Sequence, residues 1–115
     1  MKHDAIVNKM LEYCRKIQNY STGLDYHLFV STSIVTEACV FNLLQLGELV
    51  SKIDGAFMEE HQHIPWKSMR GLRHRLVHDY EGANMELVWS IIKNDIPDLV
   101  EKLRGLNISS ADEAR

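Results

Sequence analysis

Proline is nearly absent from this chain and glycine is sparse: its 115 residues hold two prolines and six glycines. Strand-and-turn folds need far more punctuation, so the sequence argues against an all-β architecture and for helices. Cysteine is equally scarce. Cys14 and Cys39 are too few and too far apart for a disulfide framework or a zinc ribbon, and both fall in segments that read as helical, where free thiols are usually buried. Long hydrophobic runs are missing too. The longest stretch without Asp, Glu, Lys or Arg runs from Tyr26 to Thr36, well short of the ~20 apolar residues of a membrane-spanning helix. Met1-Lys2-His3-Asp4 leads into polar positions and not into the apolar stretch of a secretory signal, so the expectation is a soluble cytoplasmic protein with no membrane partner.

What is present suits one small domain: 45% of the residues are hydrophobic and 25% charged, enough to bury a single core. From Asp4 to Tyr20, Ile6, Met10, Cys14 and Ile17 recur at helical spacing. Ser21-Thr22-Gly23 ends that helix. A longer second helix is expected from Asp25 to Ile53, with Ile34, Ala38, Phe41, Leu46, Leu49 and Ile53 inward and Asp54-Gly55 closing it. After an irregular or briefly helical Ala56 to Ile64, Pro65 opens a third helix that carries Trp66 to His78. Asn84 then caps a fourth, bearing Val88, Trp89, Ile92, Ile96, Leu99 and Leu103, which Pro97 should kink. The fold class expected is all-α, an antiparallel four-helix bundle over residues 1–105, followed by a flexible C-terminal tail over 106–115.

Charge is unevenly spread. The formal net charge is −3, which rules out a uniformly basic protein, yet Lys67, Arg70, Arg73 and Arg75 all lie between Ile64 and His78, a stretch with no carboxylate. That stretch is +4 and the remaining chain −7. A local positive surface on an acidic protein gathers a polyanion at one place, and RNA phosphate is the obvious one; a merely solvated helix face is the plain alternative. Within it, Arg73 precedes His78 by five positions. A ribonuclease that works without metal needs such a pair: an imidazole to move protons at the 2′-oxygen or the leaving 5′-oxygen, and a permanent planar cation for the crowded phosphorane. On an ideal helix the two stand about 140° apart, so a bent Arg side chain, a loosened helix end or a site shared between subunits must close the gap. His78 interacting only with a helix C-terminal dipole is the simpler alternative.

Pro65-Trp66 followed by Arg73-His74-Arg75-Leu76-Val77-His78-Asp79-Tyr80 resembles the Arg-x4-His-x-Tyr motif of the HepT-like toxins of the HEPN superfamily. Leu46-Gly47-Glu48, Val88-Trp89 and Asp95-Ile96-Pro97 match the same group's pattern in order, so the likeness covers residues 4 to 104. It implies a HEPN-like bundle that forms a homodimer, endoribonuclease activity without metal or other cofactor, and pairing with a minimal nucleotidyltransferase antitoxin. It also implies that Arg73 and His78 are the catalytic pair and that Tyr80 receives AMP. The group commonly has Asn after the motif Arg, where this chain has His74; His74 either replaces that Asn in holding phosphate or orienting Arg73, or titrates in its own right. Glu48 is a candidate to orient Arg73 through a charge-assisted bond, and Lys67, Arg70 and Arg75 are the candidate RNA contacts.

Two rivals stand beside this reading. His74 and His78 at i, i+4, with His61 and His63 upstream, offer imidazoles to zinc, but Arg75 occupies the position that a His-Glu-x-x-His hydrolase gives to Glu. The expectation is therefore no metal. A non-catalytic HEPN module that binds RNA or the nucleotidyltransferase would use the same basic helix for adhesion alone.

Overall fold

The computed structural model describes the backbone of residues 3–81 and 84–114 and the side chains of residues 3–76 and 84–106. Within these residues the chain is helical and contains no strand. The elements are α1 (Asp4–Ser21), α2 (Tyr26–Ser31), α3 (Ser33–Val50), α4 (Gly55–Glu60), α5 (Trp66–Arg70), α6 (Leu72–Glu81), α7 (Met85–Ser90), a π turn (Ile91–Asp95) and α8 (Ile96–Ala114). Helix α1 packs on α3 and α8, and α3 packs in turn on α5 and α6.

Each expected helix exists, and three of them are broken at sites with a local cause. The second divides at Thr32, because hydroxyl groups there compete for main-chain carbonyls. Thr32 Oγ1 donates to Leu28 O at 2.7 Å and Thr36 Oγ1 to Phe29 O at 2.7 Å. The third divides at Gly71, whose N–H bonds back to Lys67 and Met69 as the chain turns from α5 into α6. The fourth is interrupted ahead of Pro97, where the chain loosens into the π turn and Ile96 N–H bonds to Ile91 O. A proline lacks the N–H that would serve the carbonyl four residues back and its ring crowds that carbonyl, so local rewinding accommodates it.

Asn84 caps a helix as expected, and Asp25, expected as the start of the second helix, is its N-cap. Asp25 Oδ1 accepts from Leu28 N at 2.8 Å, and Asn84 Oδ1 accepts from Leu87 N at 3.2 Å. Asp54-Gly55 does not close the second helix as expected. Asp54 caps α4 by accepting from Phe57 N at 2.9 Å, and Gly55 is the first residue of that helix. Pro65 sits one position earlier than expected, at the N-cap of α5. Helix α8 continues past Gly105 through Ala114.

The core is built from Met10, Leu11, Cys14 and Ile17 of α1, Phe29 of α2, Cys39, Leu43, Leu46 and Val50 of α3, and Val88, Ile96 and Leu103 from the C-terminal third. Fully burying an aliphatic side chain of this size contributes about 1.5–3 kcal/mol. Burial pushes the Cys14 thiol up to about 12 and the Cys39 thiol up to about 11, so both stay protonated and inert near neutral pH. The inward face of α3 is not the one expected. Leu46 and Ile53 are buried, but Ile34 is 82% exposed and Phe41 57% exposed. The error is one of phase: α3 is apolar nearly all round, so periodicity alone does not fix which stripe faces α1.

Gly47 is buried where α3 meets the start of the basic helices. A Cβ built there would lie 3.0 Å from Met69 O and 3.9 Å from Leu72 Cβ, against backbone that cannot swing aside. Gly47→Ala should therefore lower stability by about 1–3 kcal/mol. Gly105→Ala, with open space around its Cβ, should be neutral or stabilising by up to about 1 kcal/mol. Thermal unfolding followed by circular dichroism compares the two; equal melting temperatures would disprove the tight contact.

Candidate active site

Leu72 and Leu76, four residues apart and both buried, fix α6 to the core. That anchoring decides where the polar residues between them go. Arg73 follows Leu72 and is exposed, His74 is exposed, and Arg75 is half-buried on the other side of the helix, about 200° round from Arg73. One turn earlier in the chain, Lys67 and Arg70 are exposed on α5. Lys67, Arg70 and Arg73 thus recur every three residues along two consecutive helices, whereas Arg75 leaves that row.

Arg73 Nη1 donates to Glu48 Oε1 at 3.0 Å, an ion pair between α6 and α3. Glu48 reaches it because the neighbouring Gly47 lets the two helices approach closely. The side chains are 69% and 51% exposed, so the pair is a weak staple for the fold. Its value is directional: a charge-assisted bond to one guanidinium nitrogen restrains the fork while leaving its other N–H groups to face solvent. The Glu48 and Arg73 suggested by the sequence are therefore in contact. Arg70 instead lays its guanidinium 3.6 Å from Met58 Sδ.

His78 and Tyr80 are helical residues of α6, at five and seven positions beyond Arg73, and their side chains lie outside the described residues. The helix backbone puts position 80 on the Arg73 face and position 78 between the Arg73 and Arg75 faces, about 140° from the first and about 60° from the second. Of the histidines in the zinc alternative, His61 is half-buried against Phe57, with ring centroids 4.5 Å apart, and stands 6.0 Å from the His63 ring. Its carbonyl accepts from Trp66 Nε1 at 3.0 Å. No group of three or more His, Cys, Asp or Glu suited to a metal occurs among the described residues.

Two features differ from or go beyond the sequence reading, the first because it was expected to face inward. One is the exposed apolar row on α3, Ile34 and Phe41, seven residues apart and followed after seven more by Glu48. The other is a cleft of about 210 Å³ between α5, α6, the π turn and α8, into which Arg75 turns. Its Asp95 belongs to the Asp95-Ile96-Pro97 landmark, where the only available signal was a proline in a helix.

An all-helical domain that presents a restrained Arg within a basic stretch free of carboxylates, Ile64 to His78, fits the class of HEPN-type modules. The family comparison is specific: the model for the ribonuclease HepT-like family matches residues 10–106, and the chain belongs to that family. A protein of Caldanaerobacter subterraneus named "Putative RNase" is 32% identical over 84% of this chain and 87% of its own length. Another of that name from Methanocaldococcus jannaschii is 32% identical over 95% of this chain and 92% of its own. The "Probable ribonuclease HepT" of Thermococcus cleftensis is 29% identical over 90% of this chain and 94% of its own. No solved structure gives a significant match.

The Glu48 pair can be tested apart from the fold. Glu48→Gln should change stability by less than about 1 kcal/mol and lower the maximal rate of RNA cleavage more than it raises KM, with Glu48→Asp recovering part of the loss. An unchanged rate in Glu48→Gln would reduce the pair to a surface salt bridge.

Proposed function

We propose that this chain is the toxin of a toxin-antitoxin pair, a metal-independent endoribonuclease that cuts RNA by 2′-OH attack and is silenced when a nucleotidyltransferase adenylylates Tyr80. The observation that carries the reading is the family match over residues 10–106 together with an exposed Arg73 held at 3.0 Å by Glu48. In the reaction the ribose 2′-oxygen attacks phosphorus, its proton passes to a base, and the bond to the 5′-oxygen breaks as that oxygen takes up a proton. The products are a 2′,3′-cyclic phosphate and a 5′-OH, and no water is consumed. His78 is the proton carrier, because an imidazole is the side chain suited both to taking a proton and to giving one up at neutral pH. Arg73 stabilises the phosphorane, whose negative charge exceeds that of the ground state. Lys67, Arg70 and Arg75 contact RNA, and His74 supports the Arg73 end of the site.

The same reading accounts for the apolar row on α3. Ile34, Phe41 and Glu48 fall on one face of that helix at seven-residue intervals, so the exposed apolar strip leads directly to the Glu48–Arg73 pair. Two copies joined through this strip bury it and bring two motif helices to one cleft. Adenylylation then acts by charge and bulk. The Tyr80 oxygen attacks the α-phosphorus of ATP and releases pyrophosphate, leaving a phosphodiester anion and a base on the Arg73 face.

The decisive experiment is cleavage of a single-stranded oligoribonucleotide in EDTA, with products weighed by mass spectrometry. The wild type should yield cyclic-phosphate ends, and Arg73→Ala and His78→Ala should each lose about a hundredfold or more in rate without loss of helicity. Activity that needs an added metal would overturn the mechanism, and RNA binding with no cleavage would favour the non-catalytic module. Tyr80→Phe should stay active and resist silencing by the partner with ATP. The homodimer has its own test: Phe41→Glu should shift sedimentation at micromolar concentration from dimer to monomer, and a wild-type monomer would refute it.

A further inference from the structure

The cleft beyond the Arg75 face of α6 is built unlike the rest of the basic surface. Its floor is apolar, formed by Met69, Leu72, Ile96 and Leu99, and four charged residues stand round it: Arg75, Asp95, Asp98 and Lys102. Lys102 Nζ and Asp98 Oδ2 neutralise each other at 2.9 Å. That leaves one cation and one carboxylate, Arg75 and Asp95, and among the described residues neither makes an ion pair or a side-chain hydrogen bond. Asp95 closes the π turn, a distortion that recurs at functional sites.

These walls select the occupant. A phosphate would meet two carboxylates as well as two cations, so the cleft does not suit an anion. A purely apolar occupant would strip water from Arg75 and Asp95 without replacing it. The volume of about 210 Å³ lies below the roughly 300–1,000 Å³ of pockets for drug-sized ligands, which leaves room for a group the size of one ring system. Arg offers only donors and a carboxylate only acceptors. The complement is a neutral planar heterocycle with two neighbouring acceptors on one edge and two neighbouring donors on another. Guanine is the RNA base that meets this condition, with O6 and N7 for the guanidinium fork and N1–H and N2–H for the carboxylate. Adenine, cytosine and uracil do not carry both paired edges.

We infer that this cleft is a guanine-recognition site, in which Asp95 and Arg75 read the two edges of the base and the apolar floor carries its face. The guanine belongs either to the RNA strand being cut, which rests on the ribonuclease reading, or to a free guanine nucleotide that occupies the cleft. In the first case the site adds sequence preference to a row of phosphate contacts that has none. Arg75 is then a base contact, and Lys67, Arg70 and Arg73 are left to the backbone. Position 78 is three residues beyond Arg75 on the same helix, which places a base in the cleft within about one helical turn of the cleavage chemistry.

The test is a titration of the full chain with 5′-GMP, 5′-IMP, 5′-AMP and 5′-CMP, read from amide chemical shifts, and its outcome does not depend on whether the protein cuts RNA. GMP should saturate a single site that includes Ile91 to Leu99, about tenfold or more tighter than IMP, which lacks the 2-amino group, and tighter again than AMP or CMP. Asp95→Asn, a substitution of equal size at an exposed position, should abolish the margin of GMP over IMP and keep the native spectrum elsewhere. Absence of saturable binding, or equal affinity for the four nucleotides, overturns the proposal even if cleavage is robust. The two sources separate on an oligoribonucleotide with a single G. If the RNA base is read, cuts cluster beside that G and lose their bias on replacement with inosine or in Asp95→Asn. If a free nucleotide is the ligand, cut positions stay fixed and added GMP changes the rate. Shifts induced by GMP that leave the cleft untouched would refute the assignment in both cases.

Discussion

The close approach of α3 to the start of the basic helices at Gly47 is the constraint on which the rest of the site depends. With a hydrogen in place of a side chain, α3 lies against the Met69 carbonyl and the Leu72 side chain, and the next residue, Glu48, comes within 3.0 Å of Arg73. A Cβ at position 47 would push the helices apart. The reach of Glu48 would then be spent on distance instead of on orienting the guanidinium, so one steric fact controls both packing and electrostatics.

From that contact the division of labour on α6 follows. Leu72 and Leu76 hold the helix down, and the periodicity of 3.6 residues then sends Arg73 outward beside α3 and Arg75 toward the cleft against α8. Two arginines separated by a single histidine thus meet different surroundings. Arg73 has a carboxylate partner and open solvent; Arg75 lines a cleft that also holds apolar side chains and Asp95. The basic segment is better described as two sites sharing a helix than as one uniform patch, and position 78 lies azimuthally between them.

How much of this was legible beforehand depended on the range of the interaction. Caps are local, and Asn84 could be read because its amide acts on an N–H three residues away. The helical class was legible from scarce proline and glycine. The break at Thr32 was not: Ser31, Thr32 and Thr36 are ordinary helix residues until the hydroxyls of Ser31 and Thr32 take the carbonyl of Leu28 and that of Thr36 takes the carbonyl of Phe29. The inward face of α3 was misread for a related reason, since Ile34 and Phe41 are as apolar as the residues it buries. Glu48 could be guessed as a partner for Arg73 from charge alone, but the cleft could not. It exists only because α8 returns past α5 and α6, and residues from both sides of that crossing have no common sequence signal.

The acidic balance of the remaining chain belongs to the same logic. With +4 confined to Ile64–His78 and −7 elsewhere, a polyanion is drawn to one side of the molecule and discouraged from the others. Such a field acts on phosphate and is blind to base identity, and it weakens steeply as salt rises. Any preference for sequence has to come from contacts of another kind, made where cations and carboxylates balance and apolar surface is available. In this molecule those conditions meet in the cleft beside Arg75, on the other side of α6 from the row of Lys67, Arg70 and Arg73. The row and the cleft can therefore be altered independently, because no side chain of the row lines the cleft.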